Sequence, residues 1–315
     1  GVVQAGVLVA FVQYIRRFFV PIRDLSTKYT VLQSAFAASE RVFALRDEPI
    51  FASLEGGRPL PRLQQGLRLD RVWFSYRAAA SKDEDYILRD ISLEVRRGEH
   101  VALVGATGSG KSTILKLLGR FVDVQRGAVL VDQVNVSEHN LSDLRRLFAV
   151  VLQDVHLFSG TLLQNVAFAA RVGDAAAKKA LRDVGADGFI ERLPQKYDTQ
   201  VFEQGVNFSA GERQLLALAR ALALDPQVLI LDEATSNIDS ETEARIQSAL
   251  NVLLTDRTAL VVAHRLSTIQ KMDRIVVLEH GRVRESGSHA ALMRQGGLYA
   301  DLVSHDRQSA ATSRT

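Results

Sequence analysis

Residues 105–112 read Gly-Ala-Thr-Gly-Ser-Gly-Lys-Ser, with the apolar run Val101, Ala102, Leu103, Val104 before them and Thr113, Ile114, Leu115 after. Few architectures place a glycine-rich turn between a buried strand and a helix. Its glycines let backbone N–H groups turn inward around phosphate oxygens, and the helix N-terminus adds positive potential. Gly105, Ala106, Thr107, Gly108, Ser109 and Gly110 are expected to form the cradle, closed by Ser112 and Thr113. Lys111 is expected to reach the β- and γ-phosphates, and the Ser112 hydroxyl to ligate Mg²⁺. Taken alone, the stretch could also be a plain turn, so its weight depends on the rest of the chain.

A second element lies about 120 residues downstream, where residues 228–233 read Val-Leu-Ile-Leu-Asp-Glu. Four apolar residues predict a buried strand that delivers Asp232 at its C-terminal end, where ligands bind in open α/β sheets. Asp232 is expected to hold Mg²⁺ through water, and Glu233 to polarise an attacking water. An acidic pair after a strand is more often a solvated loop; the phosphate loop upstream reverses that reading.

The remaining pattern defines a mixed α/β domain beginning near Leu67. Residues 67–76 and 87–95 alternate like half-buried strands, while 101–104, 228–231, 259–262 and 275–278 are short and continuously apolar. Helical stretches separate the latter, notably 112–118, 211–224 and 241–254. Hydrophobic content of 47% and charged content of 24% exclude a disordered or collagen-like chain. A net charge of +3 without any dense Lys/Arg stripe gives no sign of a nucleic-acid partner. The absence of cysteine excludes disulfide scaffolds, thiolate zinc fingers and cysteine nucleophiles. His100, His139, His156, His280, His289 and His305 show no ligand spacing and receive no role. Phe121 and Phe148 read as core.

The front of the chain is different. Gln4 and Gln13 are the only strongly polar side chains in residues 1–15, and Arg16, Arg17, Arg23 and Lys28 follow directly. Fifteen helical residues reach roughly 22 Å, short of a ~30 Å hydrocarbon core. Basic residues after the apolar run argue against a secretory signal and fit a span leaving a membrane on its cytoplasmic side. Composition also allows a buried core helix; the reading adopted is the end of a truncated transmembrane helix, continuing as a helix over 25–46. Residue 1 is Gly, and the chain is expected to be part of a longer protein. The expected organisation is a membrane-domain end over 1–46, a breaker-rich linker over 47–66, a nucleotide-binding domain over 67–304 and a disordered tail over 305–315.

Residues 207–215, Asn-Phe-Ser-Ala-Gly-Glu-Arg-Gln-Leu, precede Ala219, Arg220, Ala221 and Leu222. This stretch resembles the signature of the ATP-binding cassette (ABC) transporter ATPases, normally Leu-Ser-Gly-Gly-Gln. The resemblance covers roughly residues 67–302 and implies a RecA-like core with a phosphate loop, an antiparallel β subdomain and a helical subdomain carrying the signature. It implies ATP and Mg²⁺ as ligands. Tyr76 matches the aromatic that stacks on adenine, and Gln153 the loop glutamine that senses Mg²⁺ and γ-phosphate. His264 matches the switch histidine at the γ-phosphate, and Asp239 the loop crossing to a partner cassette. Ser209 and Gly211 match the donors aimed at ATP held by that partner. The signature departs from the family at Phe208, Ala210 and Glu212, and Glu212 is expected to place a carboxylate beside an anionic site.

Residues 150–168 and the 199–205 loop, with Glu203 as its contact to the membrane domain, resemble the exporter branch. Residues 11–43 are similar to the last transmembrane helix of such exporters. The resemblance implies ATP-driven alternating access at a cell membrane, inner or plasma, by a multi-pass protein whose cassette lies in the cytoplasm. It implies membrane lipid and a second half-transporter as partners, with the exported substrate unknown. The variant signature, together with Ser-Asn-Ile-Asp at 236–239, is similar to one half of heterodimeric exporters; a homodimer is the alternative. A soluble cassette ATPase and a nucleotide clamp without turnover are the rival classes.

Overall fold

The computed structural model describes residues 4–48, 56–77, 82–152, 154–167, 172–233, 240–263 and 266–312. Two compact units emerge, Gly1–Ser53 and Leu54–Thr315.

The first unit is one helix, α1 (Ala5–Arg46), of 42 residues, about 63 Å long at the α-helical rise. Nothing in it is buried, and it is long and apolar enough to cross a membrane. Pro21 lies inside it and removes the hydrogen bond that residue 21 would donate to the Arg17 carbonyl. Arg46 in the last turn complements the helix dipole, and the Asp47 N–H closes the end on the Phe43 carbonyl at 2.8 Å.

In the second unit the strands are β1 (Gly66–Phe74), β2 (Leu88–Arg96), β3 (His100–Val104), β4 (Arg126–Val131), β5 (Val134–Asn135), β6 (Phe148–Val151), β7 (Gly160–Thr161), β8 (Gln200–Val201), β9 (Val228–Glu233), β10 (Thr258–Ala263), β11 (Arg274–Glu279) and β12 (Arg282–Gly287). The helices are α2 (Lys111–Leu118), α3 (Leu141–Arg146), α4 (Leu162–Ala167), α5 (Asp174–Asp183), α6 (Asp187–Ile190), α7 (Ala210–Ala223), α8 (Ser240–Leu254), α9 (Leu266–Ile269), α10 (His289–Gln295) and α11 (Leu298–Thr312).

An antiparallel sheet has the order β2-β1-β4-β5. In β1, Leu67 and Leu69 point inward; an irregularity between Leu69 and Val72, where Arg71 takes φ 47°, then keeps Val72 and Phe74 inward as well. A six-stranded sheet runs β12-β11-β3-β10-β9-β6. Its pairs β11–β3, β3–β10, β10–β9 and β9–β6 are parallel, and the apolar runs of the inner strands are what a sheet covered on both faces requires. β12 pairs antiparallel at one edge and carries Arg282 and Arg284, which meet Asp83 at 3.6 Å and Glu279 at 3.2 Å. The main core continues from this sheet into α4, α5, α6 and α7, through Leu162, Leu181, Phe189, Phe208 and Leu216.

Three expectations are corrected. The back half of the expected linker belongs to the cassette: Leu60 and Leu63 are buried, and Leu63 N–H donates to Gln227 Oε1 at 2.7 Å. The Asp132 carboxylate accepts the N–H groups of Gln64, Gln65 and Gly66, which fixes the entry into β1. Phe121 is not core but 57% exposed, one face covered by the Arg145 guanidinium 4.8 Å from its ring centroid. Phe148 is buried as expected. The polar tail is helical through Thr312, because residues 305–312 contain no Gly or Pro to stop α11.

Candidate functional site

β3 hands the chain to the phosphate loop, and backbone conformation explains its glycines. Gly105 takes φ 151°, where a Cβ would collide with the Leu278 carbonyl of β11. Gly110 takes φ 105° at the N-cap of α2, and a Cβ there would strike Leu88 Cδ2. No side chain caps α2; Thr113 N–H turns back on the Gly110 carbonyl at 3.1 Å, which leaves the N–H groups of Lys111 and Ser112 facing the loop. The loop closes on itself through Ser109 N–H to the Ala106 carbonyl at 3.1 Å. Lys111 folds over it, Nζ donating to the carbonyls of Gly105 (2.7 Å) and Ala106 (3.0 Å).

Burial pulls the Lys111 pKa below the ordinary lysine value, and the Asp232 carboxylate opposes that shift. Lys111 and Asp232 therefore share one electrostatic environment although 121 positions separate them. Register supplies the reason. Val262 of β10 pairs with Leu103 of β3 on one side and with Asp232 of β9 on the other. The phosphate loop, the Asp232–Glu233 pair and the end of β10 at Ala263 consequently lie along one edge of the sheet.

The residues fit a nucleotide with its metal. Ser109 Oγ is buried without a hydrogen-bond partner among the described residues, so the loop holds a polar atom that its own fold does not satisfy. Ser112 is exposed and Asp232 half-buried, a hydroxyl and a carboxylate of the hard-oxygen type that Mg²⁺ takes. Thr113 is buried beneath the loop. Tyr76 is 53% exposed; Phe74 meets it edge-on at 4.9 Å, and Lys116 of α2 donates Nζ to its hydroxyl at 3.3 Å. The expected adenine platform is thus tied to the helix that starts at Lys111.

The signature turn is built differently. Ser209 is the N-cap of α7: its Oγ accepts from Glu212 N–H at 3.2 Å, and Glu212 Oε2 accepts from Ser209 N–H at 2.8 Å. This reciprocal pair is a capping box. It gives Glu212 a local task that the sequence expectation lacked, since the carboxylate turns back onto its own helix terminus. Phe208 is buried and packs edge-on against Phe189, which accounts for the aromatic at that position. Gly211 is buried and Ala210 exposed. Asn207 ties the turn to the preceding loop, accepting from Phe202 N–H at 3.1 Å and donating to the Gln200 carbonyl at 2.9 Å. Glu203 is exposed in that loop.

Among the described residues, no hydrogen bond joins Ser209 or Gly211 to the phosphate loop. Gln153, Asp239 and His264 lie outside the described residues, as does the side chain of Glu233. No group of three or more metal-ligating side chains occurs among the described residues. Sequence reasoning missed Lys116, Asn165 and Arg220, whose roles rest on contacts between distant segments; the "Ala-Arg-Ala-Leu" after the signature was the only available signal for the last.

A phosphate loop leaving the central part of a parallel sheet, with an acidic strand end two strands away, defines a phosphate-loop nucleotide-binding domain. Residues 88–236 match the family model of the ABC transporters, and the chain carries the ATP-binding domain of that family. It is 45% identical over 303 residues to the "Probable multidrug resistance ABC transporter ATP-binding/permease protein YheH" of Bacillus subtilis, covering 96% of this chain and 44% of the relative. It is 44% identical over 302 residues to the "ATP-dependent lipid A-core flippase" of Alkalilimnicola ehrlichii, covering 95% and 50%. The structure of a bacterial Atm1-family ABC exporter with ATP bound superposes with a TM-score of 0.77 at 36% identity, over 96% of this chain and 52% of that one. The chain spans about half the length of the relatives it matches.

Proposed function

We propose that this chain is the ATP-hydrolysing end of an ABC exporter subunit, with α1 as the last membrane-crossing helix and the cassette in the cytoplasm of a multi-pass membrane protein. One observation carries the reading: Leu103, Val262 and Asp232 stand level across three adjacent strands, which gathers the phosphate loop and the acidic strand end at one sheet edge. Phosphate binding would exchange the Gly105 and Ala106 carbonyls for phosphate oxygens as acceptors for Lys111. Tyr76 would stack on adenine. Mg²⁺, held by Ser112, Asp232 and Gln153, would neutralise charge on the transferring phosphoryl group. Glu233 is the general base, and His264 contacts the γ-phosphate.

Ser209 and Gly211 serve ATP held by a second half-transporter, and Asp239 crosses toward it. Closure of that sandwich drives alternating access through Glu203 and its loop. The second half-transporter is a different chain, a reading supported by the variant signature at Phe208, Ala210 and Glu212. Glu233→Gln on this subunit of the full-length transporter should retain ATP binding and slow hydrolysis by roughly 10²–10⁴, the range for losing a general base. The matching change on the partner should matter little. Strong, symmetric ATPase activity from this subunit alone would replace the heterodimer with a homodimer, and undiminished turnover would remove Glu233 as the base.

A further inference from the structure

Arg220 sits on α7, eleven residues beyond Ser209 and about 16 Å along the axis at the helical rise. Its guanidinium is largely buried, which pulls its pKa below the ordinary arginine value. Its hydrogen-bond partners among the described residues are neutral. Nε donates to the Asn165 backbone carbonyl at 2.9 Å, Nη1 to the His156 carbonyl at 3.0 Å, and Nη2 to Asn165 Oδ1 at 3.3 Å. The guanidinium also stands 5.9 Å from the ring centroid of Phe158. Burying a cation costs desolvation that these hydrogen bonds help to offset, so the site tolerates little displacement.

Asn165 completes the device. It is 2% exposed within α4, and its side chain serves the backbone of the 158–161 loop at both ends. Nδ2 donates to the carbonyls of Phe158 (2.8 Å) and Thr161 (3.2 Å), and Oδ1 accepts from Phe158 N–H at 2.8 Å. The same loop pairs through β7 with β8, placing exposed Phe158 and Phe202 on segments joined by one short ladder. The loop is thus held to α7 and α4 by side chains, while β6, from which the chain arrives, belongs to the central sheet.

We propose that Arg220 is a positioning residue, which through Asn165 locks the 156–161 loop to the signature helix so that a displacement of α7 carries Phe158 with it. This rests on the exporter reading only in taking the Ser209 end of α7 to respond to ATP. The test is amide hydrogen exchange on the full-length transporter in a Glu233→Gln background, with and without Mg-ATP. In the parent protein, ATP should slow exchange about fivefold or more in peptides covering 105–113, 209–213 and 156–161, the lower end of ordinary site-to-site coupling. Arg220→Lys keeps the charge but loses the fork; Asn165→Ala keeps the backbone acceptor and guards against an arginine variant that fails to fold. Each should preserve the response at 105–113 and 209–213 while the 156–161 response falls below about twofold, and the double variant should add nothing further, as expected for residues acting as one unit. An undiminished loop response in both variants, or an equal loss at all three places as a merely structural role would give, overturns the proposal. So does a parent protein in which 105–113 responds to ATP and 156–161 does not. Absence of any ATP response at 105–113 in the parent removes the nucleotide reading itself.

Discussion

The phosphate loop and the signature turn both deliver a glycine-bearing stretch to a helix N-terminus, yet they are completed in opposite ways. At the first, Gly110 is a left-handed N-cap without a side-chain acceptor, and the turn retains a buried Ser109 hydroxyl with no partner among the described residues. At the second, Ser209 and Glu212 satisfy each other in a capping box, and Asn207 pins the approach. An open helix terminus leaves its donors for an anion, whereas a capped one keeps its shape with no anion present. The first is finished by ligand, the second by sequence.

That contrast can be broken most decisively at Lys111. Lys111→Ala removes the cation from a site that depends on its ligand, and ATP binding by the chain should fall below detection in equilibrium titration; retained micromolar affinity would refute the assignment. A smaller effect is expected at Tyr76, which is proposed to serve the base and not the phosphates. Tyr76→Ala should weaken ATP by about 1–3 kcal/mol, the range for base–aromatic stacking, and a base-free triphosphate far less. Equal losses for the two ligands would deny the stacking role. The smallest effect concerns the capped turn. Ser209→Ala should lower cassette stability by about 1 kcal/mol, as N-cap losses do. Glu212→Gln, which keeps an acceptor for the Ser209 N–H, should lower it by less. Denaturant melts decide this, and a larger loss for Glu212→Gln would show that the carboxylate has a partner beyond the cap.

The two sites also differ in how far a sequence can disclose them. The phosphate loop is contiguous, its strand and helix flank it, and its glycines are demanded by local backbone angles, so eight residues announce it. Asp232 was equally plain as the polar end of an apolar strand. What binds the signature region together is not contiguous. Arg220 meets His156 and Asn165 across 64 and 55 positions, and no periodicity marks such a pairing. Phe121 was misjudged because hydrophobicity reports a preference for burial, and a neighbouring guanidinium can cover one aromatic face while leaving the other in solvent. The tail was misjudged because polar composition was weighed above the absence of any residue that stops a helix.

β12 closes one side of the central sheet with an antiparallel strand whose arginines are already engaged by Asp83 and Glu279. Charged side chains on an edge strand discourage the addition of a further strand. Recruitment of the proposed second cassette by sheet extension on that side is therefore disfavoured. In the proposed assembly, association would fall instead to surfaces where loops and helix ends project, which would keep two molecules separable. If the proposed exporter opens after each turnover, contacts of that kind would suit it, since a continuous hydrogen-bonded ladder across the junction would fuse its halves.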